Sequence, residues 1–200
     1  MTASVTVIIT SYNSSKFIDK TIMSIVDQSL KPNKIIIIDD NSDDIKILDK
    51  VVNDIKRDNF KNIELISCSK NNGPGHNRNL AWSKCNTDYI AFCDDDDYWY
   101  IDKLKKQIQI FELKKNVKLV ASKKKIINKS SINKFRKELN FSKLYFYLLI
   151  FKNTIPTSSV IIRSELSDRF LNEYYAEDYY LWLSLLKKKY ECYIINEYLC

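Results

Sequence analysis

Four consecutive carboxylates, Asp94-Asp95-Asp96-Asp97, follow directly on the apolar run Tyr89-Ile90-Ala91-Phe92-Cys93 and precede the aromatics Tyr98 and Trp99. At about 4 Å each like-charged pair costs roughly 1 kcal/mol in water and about 4 kcal/mol near a protein surface. Concentrating four of them at the end of a strand-like run therefore calls for a cation. A hard divalent metal with oxygen ligands, shared with a phosphate, fits that demand. A solvated acidic loop is the plainer alternative. With His76 as the single histidine, a histidine metal cluster is excluded, and Ser-His-Asp or Cys-His catalysis would have to use a residue in a glycine-containing turn. There is no GxGxxG and no GxxxxGK[ST], so neither a dinucleotide fingerprint nor a phosphate loop is present. The chemistry must rest on carboxylates.

The elements that would position those carboxylates follow from hydrophobic periodicity. Val5–Thr10, Ile35–Ile38, Ile63–Ile66 and Tyr89–Cys93 are short β-branched or apolar runs, which predict buried strands. Between them, Phe17, Ile18, Ile22, Ile25 and Val26, then Leu48, Val51, Val52 and Ile55, fall on single helical faces. Strands alternating with amphipathic helices predict an α/β fold with a mostly parallel sheet covered on both faces. Ligands bind at the carboxyl ends of such strands. Three strands end in polar clusters: Ser11-Tyr12-Asn13, Asp39-Asp40-Asn41-Ser42 and the four aspartates. Both glycines of the chain lie in Asn72-Gly73-Pro74-Gly75-His76, a turn expected to lie against something.

The second half is read less sharply. Helices are expected at Lys103–Lys115, Phe141–Phe151 and Glu173–Lys189, and short strands at Val117–Ala121, Pro156–Ile162 and Tyr193–Ile195. The basic stretch 123–137 reads as a mobile surface excursion. Two hundred residues, 45% hydrophobic and 28% charged, suit one soluble domain. A formal charge of +7 reads as lysine-rich surface, or as attraction to phosphorylated ligands or an anionic membrane. The five cysteines form no CxxC pair, which favours free thiols in a reducing cytoplasm. No run is long enough for a signal h-region or a membrane span.

In order along the chain, Val7-Ile8-Ile9-Thr10-Ser11-Tyr12-Asn13, Ile36-Ile37-Ile38-Asp39-Asp40-Asn41-Ser42, Asn72-Gly73-Pro74-Gly75-His76-Asn77-Arg78-Asn79, the four aspartates, and Glu177-Asp178 with Leu181-Trp182 resemble the family 2 glycosyltransferases. The resemblance covers Val5 to about Tyr198. It implies the GT-A fold, a mostly parallel nucleotide-binding sheet flanked by helices with a smaller C-terminal acceptor-side region. Residues 1–99 would form the nucleotide-sugar half and 100–200 the acceptor side of the same domain. It also implies an inverting, metal-dependent transfer from a UDP-sugar to a saccharide acceptor of bacterial capsule, O-antigen or lipooligosaccharide, with Mn2+ or Mg2+ as cofactor and no nucleic-acid partner.

Carried over residue by residue, the resemblance gives Thr10 and Tyr12 nucleotide contact and gives Asp40 the uracil, with Asp39 sharing or supporting that role. Arg78 reaches the nucleotide or its phosphates, Asp94 or Asp95 holds the ribose, Asp96 binds the metal, and Asp178 is the general base. Asp95 stands where the family more often has a small residue. Family members usually continue past the point where Cys200 ends this chain, so a C-terminally truncated acceptor side is expected. A cytoplasmic location is expected, at the inner membrane face if the acceptor is lipid-linked and the Leu144–Phe151 run is interfacial. A sugar-phosphate nucleotidyltransferase and a non-catalytic nucleotide-binding module are the rival readings.

Overall fold

The computed structural model describes residues 3–126, 139–172 and 175–200. Among the described residues eight strands form one sheet. β1 (Val5–Ser11), β2 (Lys34–Asp39), β3 (Ile63–Ser67) and β4 (Tyr89–Asp94) alternate with α1 (Ile18–Val26), α2 (Ile45–Asp58) and α3 (Pro74–Trp82). Beyond them come α4 (Lys103–Leu113), β5 (Val117–Lys123), β6 (Phe141–Lys143), α5 (Phe146–Leu149), a 3-10 turn (Thr157–Ser159), β7 (Ile161–Arg163), α6 (Glu177–Lys187) and β8 (Glu191–Tyr198). The spatial order is β3-β2-β1-β4-β7-β5-β8-β6. β1 pairs parallel with β2 and β4, β2 with β3, and β5 with β8. β7 runs antiparallel between β4 and β5, and β6 antiparallel to β8 at the edge.

Alternation along each strand divides the core between the two faces of the sheet. Val5, Val7 and Ile9 of β1, with Ile35 and Ile37 of β2, meet Ile18, Ile22 and Ile25 of α1, Leu48 of α2, and Leu104, Ile108 and Phe111 of α4. On the other face Ile8, Ile36, Ile38, Ile90 and Phe92 meet Trp82 of α3 and Leu181, Trp182 and Leu185 of α6. Side chains of a parallel strand covered on both faces are mostly apolar, as they are between the ends of β2 and β4 and, apart from Thr6, over Val5–Ile9 of β1. The registers Thr10↔Asp94 and Thr10↔Ile38 end these three strands level with one another, which brings their polar termini to one rim.

The stretch Phe141–Phe151, expected as one helix, is instead a three-residue strand followed by a four-residue helix. Its aromatics favour strand as readily as helix, and β8 offers Phe141–Lys143 an edge to pair with. Only Leu149 of α5 is buried, while Phe151 just beyond it is 89% exposed. The expected strand from Pro156 begins as the 3-10 turn and reaches β geometry at Ile161. Residues 127–138 of the basic stretch lie outside the described residues, as do 173–174 before α6. Among the described residues no helix is long and apolar enough to cross a membrane, and all five cysteines are free thiols.

α4 carries a fully buried lysine. The Nζ of Lys103 donates to Oε1 of Gln107 (2.8 Å) and lies 3.9 Å from the centroid of the Trp99 ring. Burial lowers its pKa to about 8, against the opposing pull of the Cys200 and Cys93 thiols. The unfolded chain therefore binds this proton more tightly than the native state, and the resulting destabilisation is complete below pH 8 and relieved as pH rises towards the free lysine value. Lys103→Met removes that titration. Its stability advantage over wild type, from urea midpoints, should accordingly shrink between about pH 8 and pH 10.5 by up to about 3 kcal/mol. A pH-independent difference would contradict the buried amine.

Candidate active site

At the shared rim each of the first two strands ends in a left-handed asparagine, Asn13 (φ 53°) and Asn41 (φ 64°), a conformation asparagine tolerates better than most residues. The two turns are laced together: the Asn13 N–H donates to the Ser42 hydroxyl (2.8 Å), and Oδ1 of Asn13 accepts the Asp43 N–H (2.9 Å). Asp40, just past β2, accepts the Asn72 N–H on Oδ1 (2.8 Å) and the Gly73 N–H on Oδ2 (2.9 Å). Gly73 has φ 82°, which favours glycine, so the turn can place its amide on Asp40. A Cβ on Gly75 would stand 2.0 Å from the Leu171 carbonyl oxygen, so the first turn of α3 fits against the chain only with glycine there.

The four aspartates separate in role. Asp94 is half-buried at the end of β4. Asp95 accepts the Tyr12 N–H (3.0 Å), tying the β4 loop to the β1 turn. Burial, reinforced by Asp96 and Asp94, raises the Asp95 pKa above the ordinary carboxylate value despite that bond. Asp97 is buried and neutralised by Lys124 at 2.6 Å. Asp96 is exposed, and no hydrogen bond or ion pair among the described residues involves it.

A cavity of 390 Å³ opens here, lined by Thr10, Ser11, Tyr12, Asp40, Pro74, Asn77, Arg78, Asp94, Asp95 and Asp96. The structure thus brings together Thr10, Tyr12, Asp40, Arg78, Asp94, Asp95 and Asp96 from four separate stretches of sequence. Asp39 does not line it. That side chain is fully buried, with Oδ2 accepting the Ser42 N–H (3.2 Å) and the Ser67 hydroxyl (3.0 Å) while Oδ1 has no partner. Asp178 does not line it either, but two routes join Asp178 to the lining. The first runs through its neighbour Glu177: Arg78 donates to Glu177 at 2.5 Å and to Asp94 at 2.7 Å. Burial works against the Arg78 charge, but Asp94 and Glu177 outweigh it and raise its pKa further. The second route is the 3-10 turn, whose Ser158 hydroxyl accepts the Asp94 N–H (2.9 Å) while the Thr157 hydroxyl donates to Oδ2 of Asp178 (2.7 Å).

Sequence reasoning placed Glu177 in the motif with Asp178 but gave it no role, and it missed Thr157 and Ser158. An arginine at a helical position that must be buried signals acidic partners, and the adjacent Glu177-Asp178 pair offered one. No comparable signal marked the turn. Trp99 and Trp182 are both core residues, each 1% exposed.

Four carboxylates and one arginine line the cavity, so its charge is acidic. A cation bound among them would offset that charge for an anionic ligand. Among the described residues no group of three or more His, Cys, Asp or Glu side chains could hold a metal alone. The unengaged Asp96 is therefore suited to a metal completed by phosphate oxygens and water, the usual habit of Mg2+.

A mixed sheet whose parallel half ends in acidic residues around such a cavity is the architecture of GT-A glycosyltransferases. TarS of S. aureus, solved in complex with UDP, superimposes with a TM-score of 0.75 at 22% identity, covering 96% of this chain and 57% of that one. The mannosyltransferase PcManGT of Pyrobaculum calidifontis, solved with GDP-Man and Mn2+, gives 0.72 at 15% identity, covering 96% of this chain and 56% of that one. In sequence, the model of glycosyl transferase family 2 matches residues 6–170. The chain belongs to that family and is a glycosyltransferase. The UDP-Glc:alpha-D-GlcNAc-diphosphoundecaprenol beta-1,3-glucosyltransferase WfgD of Escherichia coli is 30% identical over 187 residues, 92% of this chain and 70% of its own length.

Proposed function

We propose that this chain transfers a sugar from a UDP-sugar to a saccharide acceptor, with inversion, in the synthesis of a bacterial surface polysaccharide. Mn2+ or Mg2+ is the cation, and the acceptor is lipid-linked, as the name of WfgD specifies for that relative. The observation that carries the reading is the cavity itself, with four carboxylates and one already engaged arginine where an anionic diphosphate must enter.

In this reading Tyr12, half-exposed beside Thr10, stacks on the base. Asp40 accepts from the base N–H, because each of its oxygens keeps a free lone pair beside the backbone amide it already binds. Asp39 supports Asp40 through the turn it holds, by accepting the Ser42 N–H. Asp94, with Arg78 fixing its carboxylate, takes the ribose hydroxyls, and Asp95 braces the turn of Tyr12. Asp96 holds the divalent cation, which supplies charge neutralisation to the departing diphosphate. Inverting transfer is a single in-line displacement and needs one carboxylate to take the acceptor proton; Asp178 has that role.

Calorimetry of UDP binding with and without Mn2+ tests the donor site. Binding should be strong only with the metal, and Asp96→Asn should weaken it at least tenfold in the presence of Mn2+ while leaving thermal stability unchanged, since nothing in the fold leans on Asp96. Equal binding with and without metal would sink the assignment.

A further inference from the structure

We propose that Thr157 is a positioning residue for the proton acceptor, and that the turn Thr157–Ser159 sets the spacing between the donor acid and that acceptor. The inference rests on the reading of Asp178 as the base.

Two adjacent residues hold the two sides of the reaction. Ser158 takes the Asp94 N–H on its hydroxyl (2.9 Å), and Thr157 gives its hydroxyl hydrogen to Oδ2 of Asp178 (2.7 Å). Both are buried, and the turn has little freedom to shift. The Ser158 carbonyl accepts the Trp99 indole N–H (3.0 Å). The Ser159 carbonyl accepts the Gln107 amide (2.8 Å), and Gln107 is itself held by Lys103. The Val160 carbonyl accepts the Phe92 N–H (3.2 Å), fastening the turn to β4 just before Asp94.

Asp178 needs this support because its helix begins abruptly. Ala176, immediately before α6, has φ 56°, a region costly for a residue with a Cβ. The other carboxylate oxygen, Oδ1, accepts the Tyr179 N–H (2.6 Å) and, more distantly, the Asn153 amide (3.4 Å). With donors on both oxygens the carboxylate plane is fixed, and Thr157 is the one donor given to Oδ2 among the described residues. Loss of the Thr157 hydroxyl leaves both remaining donors on Oδ1 and frees Oδ2 to swing about them. An in-line transfer requires the acceptor oxygen near 3 to 3.5 Å from the anomeric carbon with its proton aimed at the base, and misplacement by about 1 Å can cost on the order of 100-fold in rate.

Thr157→Val deletes the hydroxyl at nearly constant volume, and Thr157→Ser keeps it. The readout is UDP release in the presence of Mn2+ and GlcNAc-diphosphoundecaprenol, the acceptor in the name of WfgD, from whichever of UDP-glucose, UDP-galactose, UDP-GlcNAc, UDP-GalNAc or UDP-glucuronate the wild type turns over fastest. Thr157→Val should lower kcat about 10- to 100-fold with donor KM and UDP affinity within about twofold, and Thr157→Ser should recover most of the loss. In an Asp178→Asn background Thr157→Val should cost nothing further, because the two act as one unit. Wild-type kcat in Thr157→Val, equal losses in the valine and serine variants, or a loss tracking UDP affinity would overturn the proposal. If Thr157→Val does not fold, Thr157→Ala is held to the same outcomes, and failure of both to fold assigns the residue to the fold and overturns it too. Unimpaired turnover in Asp178→Asn, or a wild type that releases UDP from none of the donors, overturns instead the reading on which it rests.

Discussion

Asp178→Asn binds UDP as the wild type does and turns over about 100- to 10,000-fold more slowly, the range that loss of a positioned general base produces. The substitution changes little else. Asparagine keeps the shape of aspartate, and its Oδ1 can still take the Tyr179 N–H at the start of α6. Its amide can face Thr157, whose hydroxyl turns to accept instead of donate. Neither Asp178 nor Thr157 lines the rim cavity, so UDP binding there has no reason to respond. Calorimetry of UDP binding and steady-state UDP release, on one preparation, separate the two properties. A binding module that had kept the fold without the reaction would show no turnover to lose.

Arg78→Met has the largest expected effect on stability. Arg78 is 5% exposed and, among the described residues, is the one cation paired with both Asp94 and Glu177; its guanidinium also lies 5.3 Å from the centroid of the Phe170 ring. Removing one member of a buried ionic group leaves its partners uncompensated, at a cost of about 3–5 kcal/mol. In a domain of this size that lowers Tm by roughly 10 °C. Arg78→Lys should recover little, because one ammonium on a flexible stem does not reproduce two diverging guanidinium contacts. Adding Glu177→Gln to Arg78→Met should restore part of the loss by discharging the orphaned side chain, which a thermal melt of the double variant reads directly. An Arg78→Met protein that melts with the wild type would show the bridge to be idle.

The first half of the molecule was legible because three of its strands are largely apolar or β-branched runs that then stop. Val5–Thr10, Ile35–Ile38 and Tyr89–Cys93 can only be buried strands, and the polar residues that end them mark the rim where a parallel sheet binds ligands. The second half offered no such boundary. Phe141–Phe151 is aromatic without a helical or alternating period, so its division between β6 and α5 depends on the free edge of β8, which only the assembled sheet provides. Within the site, the cavity carboxylates were readable from their motifs. The partners that orient them were not, because Arg78 and Glu177 stand 99 positions apart and Thr157 and Asp178 stand 21 apart, both joined by folding alone.

The insertion of β7 between β4 and β5 has a consequence for how the protein is made. Every residue lining the cavity lies between Thr10 and Asp96, whereas β7, the turn before it and α6 come later in the chain. Ribosomes add roughly 5 to 20 residues each second, so the residues that line the cavity leave the ribosome seconds ahead of α6. In that interval Ile90 and Phe92 lack Leu181, Trp182 and Leu185, which cover them in the finished sheet, and Arg78 lacks Glu177. The rim therefore takes its final form only when the last third of the chain has been made.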